Sequence, residues 1–414
     1  MTSILLSAFA CGPGQGSEEG GGWNWSAGLA DAGHKVTVLT TPRRHGTIEA
    51  ALEQRGDGLL RMVYVEVPRW SRPVPGQAGV YAAYLAWQWA AYRTARRLIR
   101  SEEFDLVHHI SWGSLQLGTW MGRLPLPLVF GPVGGGQIAP ASLRRFYAGD
   151  WRTEALRTFV TQRLMMLDPF ARMTAKRARL TLVCNDETER LARRLGSDDV
   201  RYASDVGLAE HAIADQPPVS HGEPLRLLWV GRLLHRKALP LGLEAVARAR
   251  RNVAVELTVI GDGPQSAHID GWIDALDLTD IVTYRGPLPF DEVQAAYRDH
   301  DVLLFTSLRD SAGAQVLEAM AAGLPVIALE QSGAAKLIGQ DRGILVPPND
   351  PIRTVNRWAA AIEQLATDRA LLHRLGMAAL CHADAHRWSQ RAKEMTGLYE
   401  SVLNRPSSDH DDHC

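Results

Sequence analysis

The stretch Asp301–Leu329, DVLLFTSLRDSAGAQVLEAMAAGLPVIAL, reads as strand, loop, helix and strand in fewer than thirty residues. Val302 to Phe305 is a short apolar run of the kind a parallel sheet buries on both faces, and the polar segment Thr306 to Asp310 ends it. From Ala314 to Ala322 the apolar residues Val316, Leu317, Met320 and Ala321 follow helical spacing. Gly323 is placed as the residue just past the helix end, and Pro325 blocks its continuation. Val326 to Leu329 then begins another strand. The unit is a βαβ crossover, which makes the surrounding chain an α/β protein built on a parallel sheet.

The loop entering that helix has a ligand-binding composition. Ser311-Ala312-Gly313-Ala314 puts small side chains where the uncapped N–H groups of Gly313, Ala314 and Gln315 would point outward, and a helix amino end favours an anion such as phosphate. Asp310 and Glu318 flank the turn eight residues apart. The plainer reading of the same residues is an Asp310 or Ser311 N-cap and a solvated Glu318.

Working outward, strands and helices alternate in two successive blocks, which predicts two doubly wound domains with a ligand cleft between them. In the second block Leu225 to Val230 is a strand, followed by Gly231-Arg232-Leu233-Leu234-His235-Arg236-Lys237. Arg232 can fork onto phosphate oxygens there, with Lys237 as a point charge beside it. Gly261-Asp262-Gly263-Pro264 makes a sharp turn after the next strand. Residues 209–223, AEHAIADQPPVSHGE, lose periodicity and read as the linker between the blocks.

In the first block, Ile4 to Ala10 is a strand and Cys11 to Gly22 a loop too glycine-rich to be helical, with the helix beginning at Trp23. Such a loop either admits a ligand to the backbone, at Gly20, Gly21 and Gly22, or is a flexible connection. Gly79 to Arg100 is a helix whose aromatic residues Tyr84, Trp87 and Tyr92 form either a membrane-touching surface with the following arginines or a buried core face. A strand over Phe104 to Ile110 ends in His108-His109, a position where open α/β sheets hold ligands and where a structural histidine is also at home. GPVGGG at 131–136 is a second loop made for close backbone approach. Arg144 to Arg179 reads as helical and basic, a surface for an anionic acceptor or a solvated face.

These motifs resemble glycosyltransferase family 4, the group 1 retaining enzymes of the GT-B fold. The resemblance is densest in Glu318-Ala319-Met320-Ala321-Ala322-Gly323-Leu324-Pro325-Val326, which matches the family's E-A-M-A-x-G-x-P-V, and in the G-R-L segment that leads to Lys237. Asp310 stands where the family usually has Glu. Asp105-Leu106-Val107-His108-His109 is similar to the family's cleft strand, and the opening GSEEGGGWNW to its first glycine loop. The resemblance implies two Rossmann-like domains facing across a cleft. Residues 1–215 form the N-terminal acceptor-side domain, completed by a helix at 387–404. Residues 224–386 form the nucleotide-sugar-binding domain, and 405–414 a disordered tail.

The function so implied is retaining transfer of a sugar from a nucleotide-diphosphate donor to a hydroxyl of a small molecule, glycolipid or polysaccharide. The site residues that follow are Asp310, His109, Arg232 and Lys237 for the chemistry. Gly21, Gly22, Gly313, Ala314, Gln315 and Glu318 join Arg232 and Lys237 in holding the donor, Glu318 by its ribose. No cofactor and no metal is implied, and GPVGGG is expected at the acceptor side. The alternatives are a degenerate, non-catalytic sugar-nucleotide-binding module and an epimerase or phosphorylase on the same fold.

Composition bounds the rest. A net charge of −1 over 414 residues gives no global attraction to nucleic acid or to an anionic membrane. The four cysteines have neither metal nor disulfide spacing, the N-terminus does not read as a signal peptide, and no apolar run is long enough to span a bilayer. A cytoplasmic protein is expected, with weak peripheral contact at the inner membrane face as a secondary reading.

Overall fold

The computed structural model describes residues 1–15, 17–68, 76–147, 149–218, 222–311 and 313–405. The tail from 406 onward, expected to be disordered, lies outside the described residues.

The N-terminal lobe runs β1 (Ser3–Ala8), α1 (Ser17–Asp31), β2 (Lys35–Thr40), α2 (His45–Arg55), β3 (Leu60–Tyr64), α3 (Gly76–Leu98), β4 (Leu106–Ser111) and β5 (Leu128–Val133). It continues with α4 (Trp151–Gln162), α5 (Pro169–Arg177), β6 (Ala178–Val183), α6 (Asp186–Leu195) and β7 (Val200–Tyr202). Its seven strands are ordered β3-β2-β1-β4-β5-β6-β7, all parallel.

The C-terminal lobe runs β8 (Leu225–Val230), α7 (Leu239–Ala249), β9 (Val255–Ile260), α8 (Ile269–Ala275), β10 (Val282–Tyr284), α9 (Phe290–Arg298) and β11 (Val302–Phe305). Then follow α10 (Ala314–Ala321), β12 (Val326–Leu329), α11 (Ser332–Ile338), β13 (Gly343–Val346), α12 (Pro351–Thr367), α13 (Arg369–Asp384) and α14 (Trp388–Leu403). The second sheet is β10-β9-β8-β11-β12-β13, again parallel. Both are doubly wound Rossmann-like sheets, so the expected α/β, two-lobed architecture is what the chain adopts.

Each sheet is apolar on both faces because helices cover both. Along β1, Ile4 and Leu6 join one core layer and Leu5 the opposite one. Along β11, Val302 and Leu304 face one layer while Leu303 and Phe305 face the other. All four β11 residues are buried, each contributing roughly 2 kcal/mol of apolar transfer.

Chain return and linker tie the lobes together. α14 packs on α1, with the Trp25 and Trp388 rings 5.3 Å apart and a Cβ at Gly28 falling 3.3 Å from that of Ala392. Leu208 forms a parallel bridge with Arg387. The linker does not hang free. Pro217 lies so close to Gly323 that a Cβ there would meet it at 2.6 Å, and Gly323 has φ +78, so the residue past the α10 end has to be glycine on both counts.

Three expectations are corrected. α1 starts at Ser17, not Trp23, and takes Gly20, Gly21 and Gly22 into its first turns. The reason is packing: the preceding loop folds back onto the helix, where a Cβ would lie 2.0 Å from the Gln15 carbonyl at Gly20 and 2.1 Å from that of Ala10 at Gly22. Arg144 to Arg179 is not one helix, because Gly149 at φ +96 precedes α4 and Asp168-Pro169 starts α5, the Asp168 carboxylate capping the N–H groups of Phe170 and Ala171. β4 extends to Ser111, which places His108 and His109 inside the strand rather than at its end.

Candidate active site in the cleft between the lobes

The chemistry gathers at the carboxyl end of β11. Past Phe305 the chain is laced to the segment after β8: the Thr306 hydroxyl donates to the Lys237 carbonyl (2.6 Å) and accepts from the Trp229 indole N–H (2.9 Å), and the Leu308 N–H donates to the Arg236 carbonyl (2.8 Å). Those bonds bring two sequence-distant loops into one rigid tip. Lys237 ends a single 3-10 turn, His235–Lys237, and is buried. Its Nζ lies 2.5 Å from Asp310 Oδ2 and 4.9 Å from the centre of the Phe305 ring.

Arg236 reaches the same carboxylate oxygen at 3.4 Å and donates to the Arg309 carbonyl. Ser307 Oγ donates to Oδ2 and the Ser311 N–H to Oδ1, both at 3.2 Å. Burial alone would lift the Asp310 carboxyl, but the Lys237 and Arg236 cations outweigh it and hold the group below the usual carboxylate range. Two cations on one ionised carboxylate leave one positive charge over, next to a helix amino end.

That end is α10. Gly313 precedes it at φ +87, and a Cβ there would sit 2.8 Å from the Phe305 ring, so both conformation and space require glycine. No side chain caps the helix, and the N–H groups of Ala314 and Gln315 have no hydrogen-bond partner among the described residues. Eight residues past Asp310, half-buried Glu318 accepts from the hydroxyl of fully buried Tyr297 (3.0 Å), and burial raises its pKa. Arg232 is exposed on the turn after β8 and makes no side-chain hydrogen bond among the described residues. That turn is pressed against the Gly261–Gly263 backbone, where a Cβ at Gly261 would lie 1.9 Å from the Gly231 carbonyl. Asp310, Lys237, Gly313, Ala314, Gln315 and Glu318 therefore share one end of one sheet, with Arg232 on the neighbouring strand's loop.

The other lobe closes against this tip. Asn185, which caps α6, donates its amide to the Ser311 carbonyl (3.1 Å), and a Cβ at Gly134 of GPVGGG would lie 3.1 Å from that of Ser311. Arg309 pairs at 3.1 Å with Glu154, a buried carboxylate also held by Arg157. Asp205, in the chain after β7, is lifted by burial and further by repulsion from Asp310. Glu18, in the first turn of α1, keeps an exposed face, but the protein crowded around its carboxyl removes water from it. That desolvation and the Asp205 charge raise it to about 7 against the pull of the Gly113 N–H. None of Arg236, Glu154, Asn185, Asp205 and Glu18 was expected. Only the run His235-Arg236-Lys237 carried a sequence signal, a second cation beside the first.

Two expected site residues, His109 and Gly22, are buried away from the cleft surface. His109 is fully buried between the sheet and α3: Nε2 meets the Tyr84 hydroxyl at 3.0 Å, and Nδ1 meets Ser7 at 3.0 Å and Thr119 at 3.2 Å. With both ring nitrogens engaged and no exposed surface, it cannot touch a substrate in the cleft. His108 is buried on the opposite face, against Tyr399 of α14 (2.7 Å) and the Gly131 carbonyl (2.6 Å). Gly22 packs on its own preceding loop, and Gly21 lies half-buried in α1 with open space at its Cβ position.

Comparison with known proteins agrees with this arrangement. Residues 23–204 match the "Glycosyl transferase 4-like domain" model and residues 224–368 the "Glycosyl transferases group 1" model. A D-inositol 3-phosphate glycosyltransferase from Paenarthrobacter aurescens is 31% identical over 44% of this chain, a stretch that is 45% of that protein's own length. Among solved structures, sucrose-phosphate synthase from Thermosynechococcus elongatus superposes with a TM-score of 0.67 at 19% identity, over 97% of this chain and 99% of that one. Anabaena HepE, solved in complex with UDP, gives 0.62 at 16% identity over 97% and 100%. With one domain model on each lobe and the same two-sheet fold throughout, the chain belongs to the GT-B glycosyltransferases, its halves carrying the 4-like and group 1 domains of that family.

Proposed function

We propose that the protein is a retaining transferase that moves a sugar from a nucleoside-diphosphate donor to a hydroxyl of a small molecule, glycolipid or polysaccharide. The observation that carries this reading is the surplus positive charge where Lys237 and Arg236 share the Asp310 carboxylate, set beside the uncapped N–H groups of α10.

A diphosphate leaving group gains negative charge as the bond from the sugar's anomeric carbon to the β-phosphate oxygen lengthens. Groups fixed in advance at that point stabilise the transition state without reorganising. Lys237, Arg236 and exposed Arg232, with the Ala314 and Gln315 N–H groups, supply that charge, so the proposed chemistry draws on side chains and needs no metal or cofactor. The electron pair of the breaking C–O bond goes to the diphosphate. The acceptor oxygen bonds to the anomeric carbon on the same face, and its proton passes to the departing phosphate oxygen. On this reading Glu318 holds the donor's ribose. Asp310 fixes Lys237 and borders the sugar position, while His109 shapes β4 from inside the core.

Uridine donors are the first to test, since the Anabaena neighbour has been solved with UDP and with UDP-glucose. Incubation with UDP-sugars, following UDP release and the anomeric configuration of the product by NMR, checks the reading directly. Release of UDP with retained configuration is expected. An inverted product would remove the same-face mechanism, and failure of every nucleoside-diphosphate sugar to bind or turn over would remove the function.

A further inference from the structure

Two helices of the N-terminal lobe turn apolar side chains outward. On α3, Tyr81, Leu85 and Trp89 recur every four residues along one face and are 42%, 44% and 43% exposed, whereas Tyr84, Trp87 and Tyr92 are buried. On α4 and the turn after it, Leu156, Phe159, Val160, Leu164 and Leu167 are exposed, Leu167 to 78%. The α3 stripe extends toward the second, because the Trp89 ring is 5.0 Å from Trp120 and Trp120 is 5.0 Å from Phe170, the second residue of α5 and three residues past Leu167. Exposed apolar surface gathered in this way marks an interaction site.

Its charge says what covers it. Residues 76–101 hold four arginines and no acid. Residues 151–183 hold seven basic residues against two acids, and both acids are occupied, Glu154 in its buried pair and Asp168 as the α5 cap. These segments carry net +4 and +5 in a chain of net −1. Beside Leu167 a shallow hollow is lined by Met166, Pro169, Arg172, Met173 and Lys176. A second copy of the chain would set one cationic face against another in a symmetric dimer and be repelled. The anionic face of a phospholipid bilayer satisfies both features, taking apolar side chains into the acyl boundary and cations among the headgroups.

We propose that the α3–α4 face docks the N-terminal lobe onto an anionic phospholipid bilayer. The face adjoins the cleft at two points. The Tyr81 ring is 5.5 Å from Trp112, the neighbour of Gly113, and Thr161 of α4 shares the Gln116 amide with the Gly135 carbonyl of GPVGGG. Docking therefore holds the acceptor side of the cleft at the membrane, and on the reading given under Proposed function this selects a lipid-linked acceptor.

Co-sedimentation of the full chain with vesicles tests the docking without any turnover. Phosphatidylcholine vesicles containing phosphatidylglycerol should bind the protein at least tenfold more tightly than phosphatidylcholine alone, and less as salt rises. Leu164→Glu/Leu167→Glu should abolish binding. Arg163→Glu/Arg172→Glu should weaken it by about tenfold or more, since each cation near an anionic surface is worth roughly fivefold. UDP-sugar hydrolysis should be unchanged in both variants, which also shows that they fold. Absence of binding to the anionic vesicles, equal binding by all three proteins, or a concentration-dependent dimer that Leu164→Glu/Leu167→Glu breaks would overturn the proposal. Vesicle binding without sugar transfer would leave docking intact and remove the transferase reading, so the two fail separately.

Discussion

β4 and β11 hold the same place in their sheets, each hydrogen-bonded to the first strand of its lobe, β1 and β8, yet they treat polar residues in opposite ways. β11 is four apolar residues, and the polar residues Thr306, Ser307, Arg309 and Asp310 come after it, at the carboxyl end of the sheet. β4 is six residues, LVHHIS, with two histidines inside. A polar group within a strand covered on both faces must find partners inside the fold, and the histidines do so through Tyr84 and Tyr399 of the covering helices, Ser7 and the Gly131 carbonyl of the neighbouring strands, and Thr119. A polar group past the strand end is free to face a ligand. Where a strand stops, more than which residue types it carries, decides whether they are available for chemistry.

The hardest test of that contrast is Lys237→Ala. Turnover should fall by about a thousandfold, as when a preorganised charge-stabilising donor is lost, and unfolding free energy by about 1–3 kcal/mol, because half-buried Asp310 keeps only the more distant Arg236 cation. Lys237→Ala/Asp310→Ala should recover much of the stability, measured by urea denaturation, and none of the turnover. A double variant that regained activity would show that the β11 tip is a structural ion pair of the same kind as the β4 histidines.

Smaller effects are expected from glycines that guard the two tips. Gly313→Ala combines φ +87 with a Cβ 2.8 Å from Phe305, the ring beneath Lys237. It should cost about 1–3 kcal/mol and raise the donor KM roughly tenfold through displaced Lys237. On the other lobe Gly131→Ala, at φ +121 and 2.2 Å from the Leu182 carbonyl, should cost as much stability while leaving the donor KM within about twofold, since its neighbours are strands. Equal KM effects from both would erase the distinction.

The histidines should report on stability rather than rate. Burial lowers His108 to about 4 and, with repulsion from His108, His109 to about 3. Both folded values lie below the unfolded one, so the unfolded chain binds protons more readily. Their contribution is complete above about pH 6.5 and is lost as pH falls toward those values, by up to about 1.4 kcal/mol per unit for each ring. His109→Gln should cost about 2 kcal/mol at neutral pH, flatten the acid limb of the Tm profile, and change kcat less than about threefold. A kcat collapse with intact folding would return His109 to the site.

The fold was legible because β11, α10 and β12 state it locally: an apolar run, helical spacing, then Gly323 and Pro325. The grouping of Asp310, Gly313 and Glu318 was legible for the same reason, since they lie on one short unit. Where reading failed, a contact or a strand end that the local residue pattern does not show decided the outcome. Gly20 and Gly22 are poor helix residues until the loop at Ala10 and Gln15 is laid against them, and the depth of His109 depends on Ser111 extending the strand. Arg236 was passed over for Arg232 because only the 3-10 turn at His235–Lys237 shows which cation reaches Asp310. Nothing local marks Glu154 and Asn185 as partners of Arg309 and Ser311, more than a hundred residues away.

The smallest effect should come from that contact between lobes, where the two sheet ends meet. Asn185 accepts from the Thr188 N–H through Oδ1 and donates through Nδ2 to Ser311. Asn185→Asp keeps the cap on α6 and replaces the donor with an oxygen facing the Ser311 carbonyl. The cap's survival confines the change to the interface, where a lost hydrogen bond is worth about 1 kcal/mol. The donor KM should rise by roughly two- to fivefold with kcat held, because the α10 entry loop is no longer tethered to the GPVGGG side as donor binds. Small-angle scattering should show a slightly larger radius of gyration in the variant without donor, converging on the native value when donor saturates. A drop in kcat at unchanged KM would mean that Asn185 acts on the reacting groups themselves, and the N-terminal lobe would then contribute chemistry from the end of β6 where β4 contributes none.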